Sequence, residues 1–241
     1  MTEIVFKEKY LSSEEMHNIN MFYDTMNFGY GSSKGPYKAG WLELGWQGCW
    51  DTSARLHIES NPVHVLTERL QKDFGKMIFW RASLRHFHAP FDVHDDYPYK
   101  ERDIKKLESL GIKHSPRVGP YESIEGKIIP KGYTFLVPTW WEKGYNAGTA
   151  FFNAPPKDGE PLYEDCQEVL PKFNEEHYRT REVKNRIFSV RQIVNWKNVG
   201  DLIGWENYTL HCSTHTPNWE YSMDKVVKRF LSIDCFIDTK N

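Results

Sequence analysis

From residue 76 to residue 238 the chain is a series of runs rich in aromatic and β-branched residues, each closed by glycine, asparagine or proline. The main runs are Lys76 to His88, Lys131 to Trp141, Asn146 to Asn153, Ile187 to Trp196, Asp201 to His211 and Lys225 to Ile237. Runs of this length and composition read as strands. Helices do not alternate regularly with them, which suits antiparallel sheets rather than a parallel sheet with crossover helices. The Gly/Asn turn between Lys131–Trp141 and Asn146–Asn153 reads as the bend of a hairpin. Residues 187–196 and 201–211 flank an Asn-Val-Gly turn. Two charged, polar stretches, 100–130 and 156–186, interrupt the series and read as surface excursions, the first with a short helical candidate at Asp103 to Leu110, the second with Pro171 to Arg181 as either a helix or an exposed excursion.

The first 75 residues carry a different period. Ser12-Ser13-Glu14-Glu15 fits a capping box, and Met16, Ile19, Phe22 or Tyr23, and Met26 follow at helical spacing, which predicts a helix over residues 13–26. Asn61-Pro62 places a cap before a first-turn proline, and Val63, Leu66, Leu70 and Phe74 continue a helix to Gly75. The segment Gly40 to Trp50, with three tryptophans, fits either a strand or a lid over a pocket. With 9 Trp, 13 Tyr and 14 Phe there is enough bulky surface for a sizeable core. The expected architecture is therefore mainly β, a two-sheet jelly roll. It forms one domain over 1–241, with N-terminal helices (about 1–75) packed on the β core (about 76–238).

Charge and cysteine usage narrow the function. A formal net charge of −2, with no basic run, gives no electrostatic footprint for a nucleic-acid partner. Cys49, Cys166, Cys212 and Cys235 have no Cys-x-x-Cys spacing, which argues against a structural zinc site and a disulfide framework. The N-terminus has no basic segment followed by an apolar core, and no apolar run has the length of a membrane span. A cytoplasmic protein with no membrane partner is expected, its oligomeric state open.

The chemistry concentrates in His94-Asp95-Asp96, a His-x-Asp just beyond the first long strand. On extended backbone, residues i and i+2 share a face, so the His94 imidazole and Asp96 carboxylate are placed to close on one metal ion. His211, at the end of a strand-like run, offers a second imidazole. Two histidines and one carboxylate with open positions are the donor set of non-haem Fe(II) oxygenases. Rival imidazoles rank lower: His86 and His88 lack a carboxylate at i+2, His215 lies beside Thr216-Pro217 in a loop, and His177 sits on a charged face.

With these residues the chain resembles the 2-oxoglutarate and Fe(II) dependent dioxygenases, the superfamily of phytanoyl-CoA and prolyl hydroxylase-like enzymes built on a double-stranded β-helix. The strongest match is Gly200-Asp-Leu-Ile-Gly-Trp-Glu-Asn-Tyr-Thr-Leu-His211. The run Asn146 to Asn153 is similar to the glycine-containing strand preceding it in the family. The resemblance covers about residues 76–238 and implies a metal triad of His94, Asp96 and His211, which are also the catalytic residues. It further implies 2-oxoglutarate as co-substrate, O2 as oxidant, and a basic residue on the last strand for the distal carboxylate of 2-oxoglutarate.

Arg229 is the expected basic residue, because alternation groups it with the apolar Leu231, Ile233 and Cys235, and Lys228 is the adjacent alternative. The gap from His211 to Arg229 is longer than is usual in the family. Tyr133, Thr134 and Thr149 are candidates for a further hydrogen bond to the co-substrate. Tyr97, Trp140, Trp141 and the Trp41 to Trp50 segment are candidates to shield the centre. The implied reaction is hydroxylation of an unactivated C–H of a small molecule or of a peptidyl side chain. The alternative is a cupin-like jelly roll that binds or isomerises a ligand without 2-oxoglutarate.

Overall fold

The computed structural model describes residues 4–25, 29–30, 41–49, 63–87, 96, 105, 107–113, 122–123, 130–145, 147–153, 180–183, 186–214 and 225–239. The elements run β1 (Ile4–Lys7), α1 (Ser13–Thr25), β2 (Gly29–Tyr30), β3 (Trp41–Cys49), α2 (Val63–Phe74) and β4 (Lys76–Phe87). After these come β5 (Ile112–Lys113), β6 (Glu122–Ser123), β7 (Pro130–Trp141), β8 (Gly148–Asn153) and β9 (Thr180–Val183), and then β10 (Arg186–Asn195), β11 (Leu202–Glu206), β12 (His211–Ser213) and β13 (Lys228–Asp238).

Both helices form where the pattern placed them. At the start of α1 the Ser12 N–H donates to Glu15 Oε2 at 2.7 Å and the Glu15 N–H donates to Ser12 Oγ at 3.2 Å, the reciprocal capping box. Burial works against the Glu15 carboxylate, but these bonds and the Arg69 guanidinium outweigh it and hold its pKa below the ordinary value. The cap of α2, Asn61-Pro62, lies outside the described residues.

The strands form a larger sheet in the order β1-β11-β7-β13-β4-β3-β2 and a smaller one in the order β12-β8-β10-β9, with β5 and β6 paired by themselves. The described ladders are antiparallel. Phe151 of β8 and Val194 of β10 pack with Ile203 and Trp205 of β11 and Phe230 of β13, so the two sheets face each other across an apolar layer. This is the jelly roll that the turn-separated strands imply.

The structure revises some of the sequence expectations and decides one that had two readings. The helices do not simply precede the strands: β1, β2 and β3 come early in the chain and extend both edges of the larger sheet. The segment Trp41–Cys49, left open between strand and lid, is a strand paired along β4. The expected hairpin of β7 and β8 does not exist. Its two strands belong to opposite sheets, β7 beside β11 and β13, and β8 beside β10 and β12. The run 201–211 likewise divides at the turn after Glu206 into β11 and β12, one in each sheet. Crossing between sheets rather than bending within one is what gives the jelly roll its inside.

The outer face of the larger sheet is covered by the helices. Met16 and Ile19 of α1 and Val63, Leu66 and Leu70 of α2 pack on Phe135, Val137, Leu231, Ile233, Cys235 and Ile237. Phe74 lies with its ring 5.0 Å from Phe135. The Gly-Asp pair of the longest motif match has a structural task here. Asp201, fully buried, accepts the N–H of Lys9 at 2.8 Å, of Lys197 at 2.9 Å and of Asn198 at 2.8 Å. It thereby ties the turn before β11 to the segment that leads into α1. Gly200 beside it has φ +83°, and a Cβ there would stand 2.8 Å from the Leu11 carbonyl oxygen.

Candidate metal and co-substrate site

In an antiparallel pair, residues directly opposite share a face, so the ladders say which side chains look into the space between the sheets. Phe151 opposite His211 and Thr149 opposite Ser213 put His211, Ser213 and Thr149 on the inner face of the smaller sheet. On the larger sheet, Phe230 belongs to the layer between the sheets. Lys228, Phe230, Ser232, Asp234 and Phe236 are therefore the inner row of β13.

The centre of the site is the pair of His211 and Asp96. His211 Nε2 stands 3.4 Å from Asp96 Oδ2, and His211 Nδ1 stands 2.9 Å from the Thr209 carbonyl oxygen. A carbonyl can only accept, so Nδ1 carries the hydrogen. In the neutral ring, Nε2 then presents its lone pair to a carboxylate oxygen. Two acceptors at this distance repel unless a cation lies with them, either a proton on the ring or a metal ion. The spacing lets both atoms lie about 2.0–2.2 Å from one ion. The donor set, a neutral imidazole fixed from behind by a carbonyl and a carboxylate, fits a first-row metal.

Other residues orient these two. The Trp205 indole N–H donates to Asp96 Oδ2 at 3.3 Å, and its ring lies 4.5 Å from that of His211. The Asp96 N–H donates to the Asn207 carbonyl at 2.8 Å, and the Asn207 N–H to the Gly132 carbonyl at 3.0 Å. A Cβ on Gly132 would stand 2.5 Å from the Asn207 side-chain nitrogen, so the glycine lets the turn that holds Asp96 lie against β7.

His94, the third expected ligand, lies outside the described residues, as do Tyr97, His88, His177 and His215. His86 is in the ladder opposite Arg229. Among the described residues no group of three His, Cys, Asp or Glu side chains converges.

The expectation for the last strand is corrected. Arg229 looks outward: its Nη1 donates to Asp24 Oδ1 of α1 at 2.9 Å, and its guanidinium lies 5.8 Å from the ring of Trp140. Leu231, Ile233 and Cys235, which share its face, pack under the helices. Lys228 is the inward cation. It is fully buried, its Nζ donates to Ser213 Oγ at 2.7 Å, and the rings of Trp196 and Phe230 lie 5.2 and 5.5 Å from it. Burial strips the hydration of the ammonium and lowers its pKa to about 7, against a smaller opposing effect of Cys212.

Alternation misled because both faces of β13 are buried, the outer by helices and the inner by the second sheet. An apolar row was then no guide to the inside.

Tyr133 is corrected for the same reason. It stacks on Phe135 at 5.5 Å on the helix side and does not line the space between the sheets. Trp140, on the outer face with Arg229, is 39% exposed and does not shield the centre, whereas Trp141 packs against the inner layer. Thr149 does face inward, beside Ser213.

Sequence reasoning gave no role to Ser213, two residues after His211, or to the indole of Trp205. Their signal was positional: Ser213 shares a strand face with the histidine. Beside Lys228, Trp196 Nε1 is buried with no hydrogen-bond partner among the described residues, and so is Ser232 Oγ further along the inner row. Such atoms each cost about 1–3 kcal/mol unless a ligand or water meets them. They fit a ligand rich in oxygen.

No family model matches the chain, and no curated protein matches it. Among solved structures it is similar, at 11% identity and a TM-score of 0.49, to the non-heme alpha ketoglutarate dependent epimerase SnoN from nogalamycin biosynthesis, with 98% of this chain and 78% of that one covered. The carbocyclase SnoK from nogalamycin biosynthesis matches with the same identity and TM-score, over 98% and 80%. HygX from Streptomyces hygroscopicus, solved with nickel and 2-oxoglutarate bound, matches at 10% identity and a TM-score of 0.47, over 99% and 84%. At these values the strand order and the inward-facing residues, rather than the likenesses, define this chain.

Proposed function

We propose that the chain is an Fe(II)- and 2-oxoglutarate-dependent oxygenase that hydroxylates an unactivated C–H of a small molecule. The observation that carries this reading is the opposition of His211 Nε2 and Asp96 Oδ2, two acceptors held by second partners so that they point at one cation. His94 completes the triad in this reading. Fe(II) bound there would supply the point at which dioxygen and 2-oxoglutarate meet. The overall reaction converts 2-oxoglutarate, O2 and R–H into succinate, CO2 and R–OH.

The chain's own part is to bind and orient. Along β12 a rise of about 3.3 Å per residue sets His211 and Ser213 roughly 6.6 Å apart on one face. That spacing suits a five-carbon dicarboxylate with its 2-oxo acid end toward His211 and its distal carboxylate at Lys228, Ser213 and Thr149. The Lys228 ammonium is a compact charge in a dry pocket, where a charge-assisted bond is strong. Trp205 and Phe151, edge to face at 5.4 Å, form an apolar wall that keeps bulk water from the histidine.

The test is dioxygen consumption and succinate release with and without 2-oxoglutarate, together with Fe(II)-dependent binding of 2-oxoglutarate followed by visible absorption. Binding that needs both Fe(II) and an intact His211 supports the reading. A metal-loaded protein that neither binds nor consumes 2-oxoglutarate would overturn it in favour of a cupin-like binding or isomerase protein.

A further inference from the structure

One β-turn holds both members of the metal pair. Glu206-Asn207-Tyr208-Thr209 leads out of β11 and is closed by the Thr209 N–H donating to the Glu206 carbonyl at 2.8 Å. Two of its carbonyls reach the two donors. That of Asn207 accepts the Asp96 N–H at 2.8 Å, and that of Thr209 accepts the Nδ1–H of His211 at 2.9 Å. The chain crosses from one sheet to the other here and is tied to both. The Asn207 N–H donates to the Gly132 carbonyl of β7 at 3.0 Å, and the Phe152 N–H of β8 donates to the Leu210 carbonyl at 3.0 Å. A change in the turn's dihedral angles would shift the two carbonyls relative to each other, and with them the 3.4 Å separation of His211 Nε2 and Asp96 Oδ2.

The side chains of the turn fix its shape. The Tyr208 hydroxyl donates to Glu206 Oε2, so the side chain at the turn's third position closes on the one at its first. Burial and this bond push the Tyr208 phenol well above its ordinary pKa, so it stays a donor. Glu206 Oε1 stands 3.4 Å from Lys131 Nζ. Glu206 lies opposite Tyr133, on the other face of β11 from Trp205, whose indole meets Asp96. It is therefore turned away from the metal pair. The Tyr208 ring packs with Leu107, Ile112, Ile78 and Phe236, so the stretch between β4 and β7 that carries Leu107 and Ile112 bears on the same turn.

We propose that Tyr208 and Glu206 are positioning residues of the metal centre: their hydrogen bond locks the turn 206–209 so that the Asn207 and Thr209 carbonyls hold Asp96 and His211 at the separation one ion requires. The proposal rests on the oxygenase reading above for the identity of the metal pair. A carbonyl behind a ligating imidazole fixes its tautomer and ring orientation, and losing such support costs about 10- to 100-fold in metal affinity. Tyr208 and Glu206 act through the turn, one step further out. The hydroxyl and the ring of Tyr208 have separate tasks, the first setting the turn and the second contributing to packing with Leu107 and Ile112.

The test uses Co(II) as the probe. Its dissociation constant is measured by equilibrium dialysis, and solvent exchange of the His211 Nδ1–H is followed by NMR of the Co(II) protein. Tyr208→Phe keeps the ring and removes the hydroxyl. It should raise the Co(II) dissociation constant about 10-fold and speed the N–H exchange, with a urea midpoint close to that of the unaltered protein. Glu206→Ala should weaken Co(II) binding similarly, and Glu206→Gln, which keeps an acceptor for the hydroxyl, should recover most of the affinity. At saturating Co(II), 2-oxoglutarate affinity should be unchanged in Tyr208→Phe, because Lys228 and Ser213 are untouched. Leu66→Ala, destabilised on the helix side, should bind Co(II) as the unaltered protein does.

A Tyr208→Phe protein with unaltered Co(II) affinity and N–H exchange overturns the proposal and leaves the oxygenase reading standing. So does a loss of affinity that merely tracks stability, with Leu66→Ala losing Co(II) in the same proportion. If Glu206→Ala fails to fold, Tyr208→Phe and Glu206→Gln still carry the comparison. If the unaltered protein binds Co(II) but not 2-oxoglutarate, the oxygenase reading falls and the same Co(II) measurements still decide the positioning roles. Absence of Co(II) binding in the unaltered protein would remove both.

Discussion

The two faces of the larger sheet are made from the same strands and do different work. Outside, Leu231, Ile233, Cys235 and Ile237 meet the helices in a dry apolar layer, and charges such as Arg69 with Glu15, Lys7 with Asp73 and Arg229 with Asp24 are paired around that layer. Inside, the same β13 presents Lys228, Ser232 and Asp234 among aromatic rings, opposite His211 and Ser213. Burying Lys228 costs enough to bring its pKa to about 7. A chain selected for stability alone gains nothing from an ammonium there, because an apolar side chain of the same volume would be neutral or stabilising. The outer face is built for stability, and in the proposed reading the inner one binds the ligand.

The sharpest way to break this contrast is at the metal pair. His211→Ala or Asp96→Ala should abolish Fe(II) binding, measured by equilibrium dialysis, while urea denaturation of the metal-free protein changes little. Asp95→Ala should keep the metal. A loss of folding in proportion to metal loss would mean that the inner pair is structural.

Next in size is the outer layer. Leu66→Ala removes a fully buried side chain between α2 and the sheet and should cost about 2–5 kcal/mol in urea unfolding. The affinity of the remaining folded protein for 2-oxoglutarate should be unchanged.

Lys228→Met should do the reverse. It should weaken 2-oxoglutarate binding by about 2–3 kcal/mol, roughly 30- to 150-fold, and leave stability equal or higher. The pH dependence has a definite sign. The folded amine has a pKa near 7, far below that of an exposed lysine, so its destabilising cost is fully present below about pH 7 and is relieved as pH rises toward the unfolded value. Affinity for 2-oxoglutarate should move the other way, falling above about pH 7 as the ammonium loses its proton. Calorimetric titrations across this range, repeated with Lys228→Met, should show that slope only in the unaltered protein.

Arg229→Met should have the smallest effect. Its half-exposed pair with Asp24 contributes about 0.2–1 kcal/mol, and 2-oxoglutarate affinity should not change. A large loss of affinity here with none at Lys228 would reverse the assignment of the two faces.

Much of this was legible in the chain. The capping box at Ser12 and Glu15, the period of α2, and the strand that begins at Lys76 are local patterns, and each formed within a residue or two of where its residues place it. His211 was legible as an imidazole at a strand end, and Asp96 as the acid of a His-x-Asp. Periodicity also grouped the residues of β13 into the two rows that the ladders confirm.

What the sequence by itself determined was thus the inventory: two helices, antiparallel strands, and a set of metal-type donors. Which row of β13 faces the cavity was decided only by the tertiary structure. Alternation fixes that Arg229 and Lys228 lie on opposite faces, and it can name the inside only when the outside is solvent. Here the helices cover one face and the smaller sheet the other, so the apolar row under α1 and α2 looked like the interior of the jelly roll. The separation of β7 from β8 into different sheets, and the meeting of Ser213 with a lysine 15 residues further along the chain, depend on long-range pairing that no local pattern carries.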